Sequence, residues 1–192
     1  MINYKFLNYH RMSPSLLVNK ISSELEEELS TPIDVERVLH FLDVRLDESL
    51  DFDRLSTAGS VSIEASGPVV WVNPLENRFE PRRRFTMAHE LGHLILHIDP
   101  EKGVREFLDT KKTLNRRDSY WDSKEFEANN FAASILMPKK EIKRIGSDVI
   151  ERYLDGKAGK MPLSLFISRM ADIFKVSRPA MKFRLKNVGA IK

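Results

Sequence analysis

Residues 85–97 read Phe-Thr-Met-Ala-His-Glu-Leu-Gly-His-Leu-Ile-Leu-His and carry the spacing His89-Glu90-x-x-His93 inside an apolar segment. On a helix, side chains four residues apart lie on one face, so both imidazoles can reach a single cation. Glu90 lies beside that face, where a carboxylate can take the proton of a water attacking a carbonyl. Imidazole is a poor partner for hard cations, so zinc is the expected metal, with manganese or iron as alternatives. Leu91, Leu94, Ile95 and Leu96 mark the helix as buried. Two unpartnered imidazoles and a carboxylate would be costly there, which favours a metal over two incidental histidines.

A catalytic zinc takes a third protein ligand and keeps one position open. His97 lies eight residues beyond His89, about 12 Å along a straight helix and rotated away, so the three histidines cannot converge on one ion. It is expected behind a ligand or at the surface. The stronger candidate is on a second helical segment, residues 125–138, where Glu125 shares a face with Ala128, Asn129 and Ala132. The small residues allow close approach of the histidine-bearing helix, and Asn129 is placed to bond the far nitrogen of a ligating ring. Glu127 lies about 200° around that helix and is expected in solvent.

These residues need elements to hold them. Ser13-Pro14 opens a helix predicted to run to Leu29, and Thr31-Pro32 a second one ending near Asp43. His40 on the second is expected to be packed or exposed rather than a ligand. A short strand follows at Val44–Leu46, then a hairpin over Ala58–Asn73 turning at Ser66-Gly67-Pro68. The metal helix is predicted from Arg82 to His97. Residues 99–121 are polar and lack periodicity, the signature of a functional loop. A helix from Ser123 to Met137 is stopped by Pro138, shorter helices cover 139–154, and residues 155–159 lead to a last helical pair.

With 192 residues, 42% of them hydrophobic and 31% charged, the chain fits one soluble globular domain with at most a small appendage. It contains no cysteine, which excludes disulfides, thiolate metal sites and a thiol nucleophile. No apolar run is long enough to span a bilayer, and the first residues lack the continuous apolar stretch of a signal peptide, so a cytoplasmic location is expected. The charge is uneven: from Met161 to Lys192 there are seven Lys or Arg against one acid, while the whole chain carries a net +3.

The two segments resemble the ImmA/IrrE family of metallo-endopeptidases, in which RFTxAHExGHxxLH is followed by ExEANxFAxxLLMP. Here these are Arg84–His97 and Glu125–Pro138, with Ile135 a minor change. The strand ending in Val72-Asn73 and the pattern FxVSxxAxxxRL at Phe174–Leu185 extend the likeness over roughly residues 31–190. The resemblance implies His89, His93 and Glu125 as ligands and Glu90 as acid and base. It also implies an α+β, zincin-like fold, with a small, twisted, mostly antiparallel sheet on the metal helix and a helical C-terminal part. In such folds a sheet edge binds the extended substrate. Val72 and Asn73 are substrate-binding candidates if their strand is that edge, and are not if it lies inside the sheet. Tyr120 is a candidate oxyanion donor, or else a packing side chain.

Members of the family are associated with cleaving helix-turn-helix repressors of mobile elements or stress-response loci, which implies such a protein as substrate. The expected organisation is a helical extension over residues 1–30, a metallopeptidase domain over 31–155 and a basic helical pair over 156–192. In that pair Lys175, Arg178, Lys182, Arg184 and Lys186 would form a basic face. The competing reading is a DNA-binding regulator with a structural metal, in which this pair is the active part.

Overall fold

The computed structural model describes residues 4–110, 123–156 and 158–192. The fold is α+β. A first helix, α1 (Pro14–Leu25), is capped by the Ser13 hydroxyl, which accepts from the Leu16 amide. It ends four residues earlier than the sequence suggests, with Glu26 in the left-handed region at φ 53°. The acidic run 26–28 would sit at the negative end of the helix dipole, which disfavours extension. Helix α2 (Val35–Phe41) starts at Asp34, whose Oδ1 accepts from the Arg37 amide, rather than at Pro32. His40 on α2 is exposed.

Four strands follow: β1 (Arg45–Asp47), β2 (Thr57–Glu64), β3 (Gly67–Val72) and β4 (Glu106–Thr110). Their order in the sheet is β1-β3-β2-β4, with β1 parallel to β3 and the other two pairings antiparallel. The predicted hairpin forms, but β3 is an interior strand, so it is not the substrate edge. Val69, Val70, Trp71 and Val72 are all buried, as expected of a strand covered on both faces. β4 falls within the stretch that carried no periodic signal. It is short and places Glu106 and Phe107 on an edge, so neither alternation nor an apolar run marks it.

Between β2 and β4 the register shifts at Thr57/Gly59, a bulge at Ala58. Cross-strand partners share a face, so Gly59, Val61, Val70, Val72 and Phe107 look one way. That face carries helix α3 (Glu80–Leu96), which bears His89 and His93, and Val61, Val70 and Val72 join Met87, Ala88 and Leu91 in the core. Helix α4 (Ser123–Leu136) crosses the other side of α3. The contact is tight at Gly92, where a Cβ would come within 3.2 Å of the Cα and carbonyl oxygen of Ala128.

The remaining helices are α5 (Lys139–Leu154), α6 (Leu163–Phe174) and α7 (Arg178–Asn187). α5 is one continuous helix rather than several short ones, because Ile142, Ile145, Gly146 and Val149 form an unbroken buried stripe. One core of buried side chains extends from Phe6 and Tyr9 through α3 and α4 to Met181 and Leu185. Phe6 and Tyr9 near one end and Met181 and Leu185 near the other are thus packed into the same interior as α3. Among the described residues no helix is long and apolar enough to cross a membrane.

Because Gly92 meets backbone rather than a movable side-chain tip, Gly92→Leu should separate α3 from α4. Overpacking of this kind costs on the order of 1–3 kcal/mol. The urea midpoint should fall with the slope unchanged. An unaltered midpoint would mean that the helices can part at no cost.

Candidate metal centre

α3 begins with Glu80-Pro81, an acidic residue and a proline in the first turn, both suited to a helix N-terminus. From Met87 to Ile95 every residue is buried. Within that stretch His89, Glu90 and His93 are polar groups that the core must accommodate. His93 is 1% exposed and Glu90 fully buried.

The His89 and His93 Nε2 atoms lie 3.0 Å apart. From α4, Glu125 brings Oε2 to 3.2 Å from His89 Nε2 and Oε1 to 3.1 Å from His93 Nε2. Among the described residues these three form the one group of His, Asp or Glu side chains close enough to share an ion. Ligands about 2.0–2.1 Å from a tetrahedral zinc stand about 3.3 Å apart, so the spacing fits a divalent cation of that size. The donor set of two imidazoles and a carboxylate fits a borderline metal better than a hard one.

The protonation states suit ligation. Burial pushes the His93 imidazole below its ordinary pKa, outweighing the neighbouring Glu125 carboxylate, and keeps the ring neutral. Burial acts to raise the Glu125 carboxyl, but the adjoining His89 and His93 imidazoles prevail and hold it well below the usual carboxylate range. A neutral imidazole and an ionised carboxylate are the forms that bind a metal.

Glu90 lies against β2. A Cβ on Gly59 would fall 2.6 Å from Glu90 Oε1 and 2.7 Å from Thr86 Cγ2, so only glycine leaves room for this carboxylate. The strand is tied down at the same place. Thr86 donates its hydroxyl to Asn77 Oδ1 at 2.7 Å, and the Asn77 amide donates to the carbonyls of Ala58 and Asn73, both at 2.8 Å.

The other predicted residues fall in different places. Val72 and Asn73 are buried, on or next to a strand inside the sheet. The Asn73 amide donates to the Thr57 carbonyl at 2.9 Å, while its Oδ1 accepts from the Leu75 amide, which binds one loop to another. Asn129 is exposed, because the face of α4 pressed on α3 is centred on Ala128 and Ala132, and Asn129 lies past Glu125 on the open side. The far nitrogen of His93 is met instead by His97, with Nδ1 to Nδ1 at 3.0 Å. Glu127 is largely in solvent, yet its Oε2 lies 2.9 Å from His97 Nε2. Tyr120 lies outside the described residues. Gly59, Asn77 and Phe107, whose ring stacks on His93 at 4.8 Å, had no sequence signal beyond their residue types.

A buried histidine pair on one helix, joined by a carboxylate from the next and flanked by a second carboxylate, defines the class of helix-borne metallopeptidase centres. The family model Peptidase_M78, described as the IrrE N-terminal-like domain, matches residues 47–186, and the chain belongs to this metallopeptidase family. No curated protein matches the chain.

The tight fit of Glu90 against β2 leads to an expected separation of effects. Gly59→Ala should leave the metal per chain unchanged but lower peptide-bond hydrolysis, since a displacement near 1 Å can cost about 10²-fold. Elemental analysis and turnover measured on the same preparation check this. Loss of metal in that variant would show that Gly59 supports the ligands rather than Glu90.

Proposed function

We propose that this chain is a zinc-dependent endopeptidase in which His89, His93 and Glu125 hold the metal and Glu90 is the general base. The observation that carries the reading is the convergence of those three side chains within 3.0–3.2 Å beside the buried Glu90. Zinc held there supplies Lewis acidity, polarising the scissile carbonyl and making a water easier to deprotonate. Glu90 accepts the proton of the attacking water and returns it to the leaving amine. Its burial excludes competing solvent, and the missing side chain at Gly59 leaves room for its carboxylate. Manganese or iron would serve the same donors in a cell.

An extended segment of the substrate pairs along β4, the outer strand beyond β2 among the described residues. Phe107 on β4 stacks on His93, so a peptide bound to this edge lies beside the ligands. The substrate we infer is a helix-turn-helix transcriptional repressor, cut in the cytoplasm to relieve repression. That identity is supported by the likeness of residues 84–97 and 125–138 to the ImmA/IrrE motifs.

The DNA-binding alternative has less support. Arg178, Lys182 and Lys186 on α7 are exposed, but Arg184 donates from Nε to the Met137 carbonyl at 3.0 Å and pins α7 to the end of α4. With Met181 and Leu185 buried, α7 completes the core that carries the metal helix.

Glu90→Gln keeps size and polarity but removes the proton acceptor. The variant should retain metal and lose at least about 10²-fold in cleavage of a co-expressed repressor. Arg178→Ala with Lys182→Ala should cut normally. Derepression that survives Glu90→Gln and disappears in the α7 double variant would identify the DNA-binding reading instead.

A further inference from the structure

Behind the metal-facing side of His93 runs a second line of polar atoms. His93 Nδ1 is 3.0 Å from His97 Nδ1, and His97 Nε2 is 2.9 Å from Glu127 Oε2. Glu127 is on α4, so this line joins the two helices at a second point, alongside Glu125. The rings are held in place: Phe107 stacks on His93 with its plane inclined by 18° and packs on His97 at 5.5 Å. The His97 side chain is 5% exposed although its carboxylate partner is 56% exposed.

With an ionised Glu127 and a neutral His97, the hydrogen bonds along this line run in one direction from its solvent end. An ionised carboxylate only accepts, so His97 Nε2 must donate to Glu127. A neutral His97 that donates from Nε2 has a lone pair on Nδ1, and there it can only accept. His93 Nδ1 must then carry the hydrogen between the two rings. The remaining nitrogen of His93, Nε2, is left with its lone pair directed at His89 and Glu125. That is the tautomer a metal ligand requires.

We propose that Glu127 and His97 form a hydrogen-bonded relay that sets the tautomer and ring orientation of His93, with both acting as positioning residues for the metal centre. The proposal rests on the reading of His89, His93 and Glu125 as ligands and extends it to two residues outside that set. It also accounts for the placing of Glu125. With the relay in force, His93 Nε2 and Glu125 Oε1 face each other at 3.1 Å as two lone-pair atoms, an arrangement a shared cation stabilises.

The test uses the full chain labelled with 15N at histidine, prepared metal-free and with added zinc. Ring-nitrogen spectra of the metal-free protein should show His93 protonated at Nδ1, with Nε2 as the bare nitrogen. In Glu127→Ala, whose site is exposed enough to leave folding intact, and in His97→Phe, which keeps a ring at that position, this preference should be lost. Zinc affinity, read by competition with a chromogenic chelator, should fall by about 10-fold to 100-fold in His97→Phe. It should fall less in Glu127→Ala, and Glu127→Gln, which keeps an accepting oxygen, should recover part of the loss. An unchanged His93 tautomer in both variants, or His93 protonated at Nε2 in the wild type, overturns the relay whatever the metal does. Wild-type protein that takes up no zinc while showing the expected tautomer would instead overturn the metal assignment and leave the relay standing.

Discussion

Two helices that touch at the level of their backbones set the conditions for everything at this site. Gly92 on α3 and Ala128 on α4 approach so closely that even a methyl group on the first would press on the main chain of the second. At that separation a glutamate from α4 reaches the imidazoles of α3 with both carboxylate oxygens, at 3.1 and 3.2 Å. A wider spacing, such as leucines at the contact would impose, would leave Glu125 short of the histidines. The carboxylate would then lose both of its imidazole neighbours at a largely apolar contact, a costly state. Close packing of the two helices is what brings Glu125 to His89 and His93.

The opposite side of α3 obeys a similar rule with different means. Glu90 is accommodated because Gly59 has no side chain, and the strand that carries this glycine is anchored through Asn77 to Thr86, one turn before Glu90. At the bulge the Ala58 carbonyl accepts both from the Asn73 main-chain amide at 3.0 Å and from the Asn77 side chain at 2.8 Å. α3 is thus gripped from both sides, by a helix that brings Glu125 to its two histidines and by a strand that lies close against the neighbouring carboxylate.

What the sequence reveals follows from what a single periodic element can encode. The His89/His93 spacing, the burial of their helix and the small face of the Glu125 helix are all properties of one segment at a time, and the structure brings those three side chains together. The β2–β3 hairpin was legible for the same reason. Relations between segments were not. Whether β3 lies inside the sheet depends on β1 and its parallel pairing, which no local pattern specifies. The choice between Asn129 and His97 behind His93 depends on the rotation of α4 about its own axis relative to α3. Glu127 has the spacing of a solvent-facing residue and the exposure of one, yet it bonds to His97 because its carboxylate spans the gap between helices. Gly59 is one of 8 glycines, and only its position opposite Glu90 distinguishes it.

The central claim is that one divalent metal sits between His89, His93 and Glu125, and anomalous diffraction at the zinc edge from crystals of the zinc-loaded protein tests it most directly. A single strong peak per chain, about 2.0–2.2 Å from both Nε2 atoms and from a Glu125 oxygen, is the predicted result. A peak on other residues, or none at this position at full zinc loading, would contradict it.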